Sequence, residues 1–327
     1  MRTRHHLLAA LLLTFVFTTT ARAQLYAPAG PGATLYVANS FGGWIERYNP
    51  PSGTGTQFDS TNNPTGLAFD IAGNLYVASG GNTINLYTNT GGVLFPRSTI
   101  FDIGFSGSLN SPRGLAFDSS GNLYAANFGN STIEKYTNTA GVLSRTGTLF
   151  TNSGLSSPFG LAFDSAGSLY VANRGNATIE KYTSTGGVLS STGTPFASGV
   201  SGGLFNPQGL AFDIAGNLYA VDTSTDAIEK YTNTGGVLSG TGTRFFTGGS
   251  PTGLTFDSTG NLYVASGGTI ILYTNTGGVL SNAGTQFTNS GLSGPTFLAF
   301  APAPEPTSTV LLLVGLGTAA QRRRRKA

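Results

Sequence analysis

Residues 111–137 contain Ser111-Pro-Arg-Gly-Leu-Ala-Phe-Asp-Ser-Ser-Gly-Asn-Leu-Tyr-Ala-Ala-Asn127 and then Ser131-Thr-Ile-Glu-Lys-Tyr-Thr137. Most of the chain is this unit written again. The Gly-Leu-Ala-Phe-Asp head recurs at Gly66, Gly114, Gly160 and Gly209, Gly-Leu-Thr-Phe-Asp follows at Gly253, and a worn copy, Phe-Leu-Ala-Phe, begins at Phe297. The steps between heads are 48, 46, 49, 44 and 44 residues. A period of this length suits one four-stranded propeller blade.

Each unit offers four short strands separated by turn residues. In the quoted copy they are residues 114–118, 123–127, 132–137 and 147–150. Asp118-Ser-Ser-Gly-Asn122 joins the first two as a tight hairpin, because Asp and Asn bond back to their own backbone and Gly accepts positive φ. Residues 137–146 join the third and fourth as a longer loop. Strict in/out alternation is missing, since Leu123 and Tyr124 are both large. A sheet covered on both faces reads this way, as a blade does between its neighbours.

Counting decides closure. Leu-Tyr strands begin at Leu35, Leu75, Leu123, Leu169, Leu218 and Leu262, and third strands at Ile45, Ile84, Ile133, Ile179, Ile228 and Ile270. The heads also number six but run out of phase: none precedes Leu35, and the head at Phe297–Phe300 has no unit after it. A C-terminal strand that completes the first blade uses both leftovers and pairs edges that a linear array leaves open. The expectation is an all-β fold, a six-bladed β-propeller of four-stranded antiparallel blades over residues 35–301. An open β-solenoid leaves the phase offset unexplained.

The flanks read as targeting segments. Residues 1–23 have the form of a secretory signal peptide: Arg2 and Arg4, an apolar core Leu7–Phe17, and Ala21-Arg-Ala23 as a small-x-small cleavage site. Residues 24–34 are a Pro/Gly/Ala-rich lead-in. At the other end, Pro304-Glu305-Pro306 precedes an apolar run, Thr307–Ala320, and the basic cluster Arg322–Lys326. Physically this is a short membrane segment with a basic stop, giving transient membrane contact.

Charge and composition remove several functions. The formal net charge is +3, but residues 24–303 hold nine Lys+Arg and thirteen Asp+Glu, a net −4. The basic excess lies in the flanks, not on the folded unit where a nucleic-acid footprint belongs. Cysteine is absent, and both histidines, His5 and His6, precede the repeats. Ser–His and Cys–His nucleophile pairs are therefore excluded from the mature chain, as are the usual zinc ligands. No cofactor is expected; calcium is the one metal that oxygen ligands alone suit, with Asp222 and Asp226 its candidate ligands, because that blade has lost the Gly-Asn turn. Asp70, Asp118, Asp164, Asp213 and Asp257 each open a hairpin and read as turn residues. Glu46, Glu134, Glu180 and Glu229 lie beside Arg47, Lys135, Lys181 and Lys230 and read as solvated or locally paired charges.

In an up-and-down blade, the start of the first strand and the end of the second share one face. The variable residue before each head is Thr65, Arg113, Phe159, Gln208, Thr252 or Thr296, and second strands end in Asn39, Asn127, Asn173 and Asp222, with Ser79 and Ser266 in the other two. The expectation is that these two rings surround one mouth of the central channel, a concave binding site. Arg113, Phe128, Phe159 and Arg174 should form a patch of cations and aromatics there.

Two resemblances sharpen this. The repeats resemble the NHL family, on Pro-x-Gly-Leu-Ala-Phe-Asp-x-x-Gly-x-Leu-Tyr-Val-Ala-Asn and Gly-Asn-x-Thr-Ile, seen whole over 158–179. That implies a propeller far more than an activity, since such folds bind proteins, nucleic acids or small molecules and some relatives are lactonases or lyases. Residues 302–327 resemble the PEP-CTERM sorting signal of Gram-negative bacteria. This implies processing by an exosortase-type membrane protease and delivery to the cell surface or extracellular matrix; a permanent single-pass anchor is the alternative. The functional expectation is a non-enzymatic exported propeller that binds polysaccharide or another surface protein. The alternative is a calcium-dependent lactonase- or lyase-like enzyme.

Overall fold

The computed structural model describes residues 33–302, apart from 51, 103, 105–108, 200–202, 248 and 289–290. The segment read as a signal peptide, nearly all of the lead-in and the tail from residue 303 lie outside the described residues. Among the described residues no helix is long and apolar enough to cross a membrane.

Six four-stranded antiparallel sheets form the blades of a closed ring. The innermost strands are Pro64–Phe69, Pro112–Phe117, Pro158–Phe163, Pro207–Phe212, Pro251–Phe256 and Pro295–Phe300, which number blades 1 to 6. In blade 6 the inner strand comes from the C-terminal end. Pro295–Phe300 pairs with Leu35–Asn39 in the register Leu35↔Phe300, Tyr36↔Ala299, Val37↔Leu298. Ala301 N–H then donates to Thr34 O at 2.9 Å. The phase offset seen in the sequence is this closure.

All six second strands are buried along their whole length. This explains their unbroken apolar pattern. The core is divided into six clusters, one at each seam between blades. At the seam of blades 2 and 3, Tyr124 meets Phe150 of its own blade edge-on (5.3 Å, 89°) and Phe163 of the next (5.3 Å, 62°). The same triad recurs around the ring, for example Tyr76 with Phe101 and Phe117 and Tyr263 with Phe287 and Phe300. Each such edge contact adds roughly 0.5–1.5 kcal/mol beyond the area it buries. The Tyr and the two Phe of every unit are therefore the adhesive of the ring.

The Asp-x-x-Gly turn follows its chemistry. Asp118 Oδ1 accepts the N–H groups of Ser120 and Asn122, both at 2.9 Å, and Oδ2 accepts the Asn122 side-chain amide at 2.7 Å. Asp70, Asp213 and Asp257 hold Asn74, Asn217 and Asn261 in the same way. The segment read as a loop over 137–146 contains a small hairpin instead, Asn138–Thr139 with Val142–Leu143. Asn138 docks it on the Asp118 turn: its N–H donates to Asn122 Oδ1 (2.8 Å) and its side-chain amide to Ser120 O (3.0 Å). Blades 1 to 5 all carry such a hairpin. These hairpins lie on the face opposite the channel mouth.

Two of the third-strand glutamates, Glu134 and Glu180, differ from the sequence reading. Glu134, Glu180 and Glu229 are buried, because the blade is covered on both faces even where Lys stands next in sequence. Glu229 pairs with Arg244 (Oε1 to Nε, 3.2 Å). Oε2 of Glu134 and of Glu180 has no hydrogen-bond partner, and burial raises both carboxyl groups above their ordinary range.

Candidate functional site at the channel mouth

Every inner strand begins with Pro and then breaks register. In blade 2, Pro112 pairs with Asn127 but Leu115 pairs with Ala125, so Arg113 and Gly114 form a bulge at the rim. Bulges re-aim a side chain, and here the re-aimed residue is the variable one. The glycine that follows is forced by crowding. A Cβ on Gly66, Gly114, Gly160 or Gly253 would collide with the backbone carbonyl of Arg113, Phe159, Gln208 or Thr296 on the next inner strand. Inner strands therefore touch through backbone around the channel.

Blade 6 lacks this glycine and carries Phe297 in its place. The ring of Phe297 stacks on Phe159 of blade 3, the blade diametrically opposite, at 5.7 Å and 12°. The channel is thus bridged near this mouth by two aromatic rings. The worn sixth head noticed in the sequence is the source of this bridge.

The expected ring of mouth residues resolves into different roles. Thr65 is buried, with Oγ1 2.7 Å from Pro112 O of the next blade and 3.2 Å from Ala78 O. Thr252 Oγ1 donates to Pro295 O at 2.5 Å across the seam of blades 5 and 6. Thr296 Oγ1 and Ser40 Oγ are 2.7 Å apart, and Ser40 also reaches Pro64 O of blade 1. Thr65 and Thr252 thus tie neighbouring blades directly, and Thr296 does so through Ser40. Gln208 is buried against Thr223, 2.9 Å from Nε2 to Oγ1, and Phe159 is buried in the bridge.

The second ring is also turned inward, contrary to expectation. Asn39, Asn127, Asn173 and Asp222 are all 0% exposed. Each accepts backbone N–H from the loop that leads into the inner strand of its own blade: Ser293 on Asn39, Asn110 on Asn127, Ser156 on Asn173. Asp222 accepts three, from Phe205 (2.6 Å), Asn206 (3.1 Å) and Ser224 (3.0 Å). Both its oxygens are committed to the fold, and Asp226 is an exposed turn residue at φ 50°. The pair does not fit a calcium ion, and no group of three or more acids able to hold a metal occurs among the described residues.

What is left at the surface is the patch on blades 2 and 3. The Arg113 guanidinium lies 5.4 Å from the centre of the Phe128 ring and 5.6 Å from that of Phe159. Arg174, exposed, lies 5.8 Å from the same Phe128 ring. Phe128 is half-buried and meets Phe159 edge-on at 6.3 Å. Two cations therefore share one aromatic ring. Arg113 Nε is buried with no hydrogen-bond partner. Among the described residues, Arg244–Glu229 is the only ion pair, so no carboxylate neutralises either arginine. Burial first, and then the charge of Arg174, lower the basicity of Arg113.

Comparison with known proteins agrees with this architecture. An NHL repeat model matches residues 109–136, and the PEP-CTERM protein-sorting motif matches residues 302–326. No curated protein matches the chain significantly. Among solved structures, a chain of the nidogen/laminin complex superposes with a TM-score of 0.64 at 22% identity, covering 83% of this chain and 98% of that one. A gluconolactonase from Xanthomonas campestris gives 0.54 at 19%, covering 76% and 87%. A virginiamycin B lyase from Staphylococcus aureus, catalytically inactive through a histidine-to-alanine substitution and holding quinupristin, gives 0.52 at 15%, covering 83% and 93%. At these identities the likeness is one of fold. The chain is thus a six-bladed propeller carrying a sorting signal for export to the cell envelope.

Proposed function

We propose that the protein is a non-enzymatic exported propeller that binds polysaccharide at its channel mouth, through Arg113, Phe128 and Arg174, after its tail has been processed by an exosortase-type protease. The observation that carries this reading is the uncompensated arginine pair on one half-buried phenylalanine. Folding alone gives no reason to gather two like charges where neither has a carboxylate, whereas a ligand supplies one. The sorting motif supports delivery to an envelope or matrix where polysaccharide is present.

The enzyme reading has less support. The lyase noted above lost activity with one histidine, and this chain has none after His6. Asp222, its strongest acid candidate, is consumed by three backbone N–H groups. A glycan-binding screen on the full-length chain tests the proposal. Retention of at least one polysaccharide, weakened by Phe128→Ala at unchanged melting temperature, is expected. Retention of none by the folded chain overturns it.

A further inference from the structure

The patch also carries information about the chemistry of its occupant. Arg113 has a fixed orientation, because its guanidinium lies against Phe128 and Phe159 and its Nε is enclosed. Arg174 faces the same Phe128 ring from the next blade and is open to solvent. A planar anion placed beside the two guanidiniums can take N–H groups from both arginines at once. A bidentate arginine contact with a carboxylate is among the strongest polar contacts available, and it is directional. A neutral sugar would leave both charges unmatched.

Two further rings stand at the same face. Phe41 is 87% exposed in the loop after the second strand of blade 6, and Phe205 is 60% exposed in the loop before the inner strand of blade 4. With Phe128 of blade 2, the mouth thus presents a phenylalanine on alternate blades. Isolated exposed rings are ordinary. Three on one rim, around the aromatic bridge, form a set of flat platforms on which sugar C–H faces can stack. An acidic peptide has no equivalent use for rings spaced around a circle; peptides commonly add to sheet edges, which here lie at the outer strands, away from the mouth.

We propose that the ligand is an acidic polysaccharide: a polymer whose carboxylates are read by Arg113 and Arg174, and whose neighbouring residues lie across the rim on Phe41 and Phe205. This rests on the polysaccharide reading above and narrows it to a charged, multi-unit ligand.

The test uses the full-length chain and three probes: polygalacturonate, neutral dextran and poly-glutamate, measured by calorimetry or affinity electrophoresis at two salt concentrations. Polygalacturonate should bind, more weakly at high salt, and dextran should not. Arg113→Gln and Arg174→Gln should each lower affinity about tenfold or more, as loss of a charged hydrogen bond does. Phe205→Ala should weaken binding of long polygalacturonate but leave a digalacturonate fragment unaffected. Circular dichroism and melting temperature establish that the variants are folded. Equal binding of dextran, with both arginine variants unchanged, overturns the acidic assignment and leaves the polysaccharide reading standing. Equal binding of poly-glutamate overturns the glycan assignment in favour of an acidic protein. No binding of any polymer by a folded chain overturns both.

Discussion

The aromatic bridge across the channel gives a prediction whose size follows from the structure. Phe159 is buried, so Phe159→Ala removes a ring from a packed site, for which a cost of about 3–5 kcal/mol is usual. The site borders the channel, where neighbours or water can fill the gap, so the low end, about 3 kcal/mol, is expected. For a domain of this size that lowers the melting temperature by roughly 6–12 °C. Phe297 is half-buried, and Phe297→Ala should cost less, about 1–2 kcal/mol. The informative quantity is the coupling between the two. Rings stacked at 5.7 Å and 12° should show a double-mutant coupling of about 0.5–1.5 kcal/mol, although their inner strands belong to opposite blades. Urea unfolding of the two single variants, the double variant and the parent measures it. Additivity within about 0.3 kcal/mol would refute the bridge.

Three further outcomes follow from the packing. Gly114→Ala drives a methyl group into the Phe159 carbonyl and should cost about 1–3 kcal/mol in thermal unfolding; a neutral effect would show that inner strands do not touch through backbone. Asp118→Ala and Asp257→Ala should each cost about 1–2 kcal/mol, and by similar amounts, since both remove the same backbone and Asn-amide hydrogen bonds plus one hydroxyl bond each, from Tyr124 and Thr259; a loss of ligand binding in one alone would show that it has a separate role. Burial raises the Glu134 carboxyl above its ordinary 4.5, so the folded state holds that proton to higher pH than the unfolded chain does. Stability should therefore fall as pH rises through the window between the unfolded and folded values, and Glu134→Gln should raise the urea midpoint more at pH 7 than at pH 4; an equal shift at both would contradict this.

The architecture was legible because the repeats are nearly identical: the same Tyr and Phe recur at each seam, Asp-x-x-Gly recurs at five hairpin turns, and the phase of the heads at Gly66 and Phe297 encodes closure. The miniature hairpins were not legible, since two-residue strands such as Asn138–Thr139 have no periodicity. Glu134 and Glu180 were misplaced because a neighbouring lysine suggests solvent, while a blade is covered on both faces. The mouth was only partly legible. Up-and-down topology places Thr65, Asn127 and their counterparts at the channel mouth, but the bulge and the entry loops turn most of those side chains into ties and anchors. Arg113, Phe128 and Arg174 were recognisable because they fall at the two variable positions of the repeat, the residue before each head and the residue after each second strand, where four of the six blades carry Thr, Ser, Gln or Gly. The role of Phe297 needed coordinates, because a ring crossing to the opposite blade leaves no trace in local sequence.

The most direct test of which face works is hydrogen–deuterium exchange of the full-length chain with and without polygalacturonate. Slowed exchange at residues 110–114, 127–131 and 173–176, with the opposite-face hairpins at 138–143 and 233–238 unchanged, is the expected result. Protection confined to those hairpins, with the mouth segments unaffected, would contradict a binding site built on Arg113, Phe128 and Arg174.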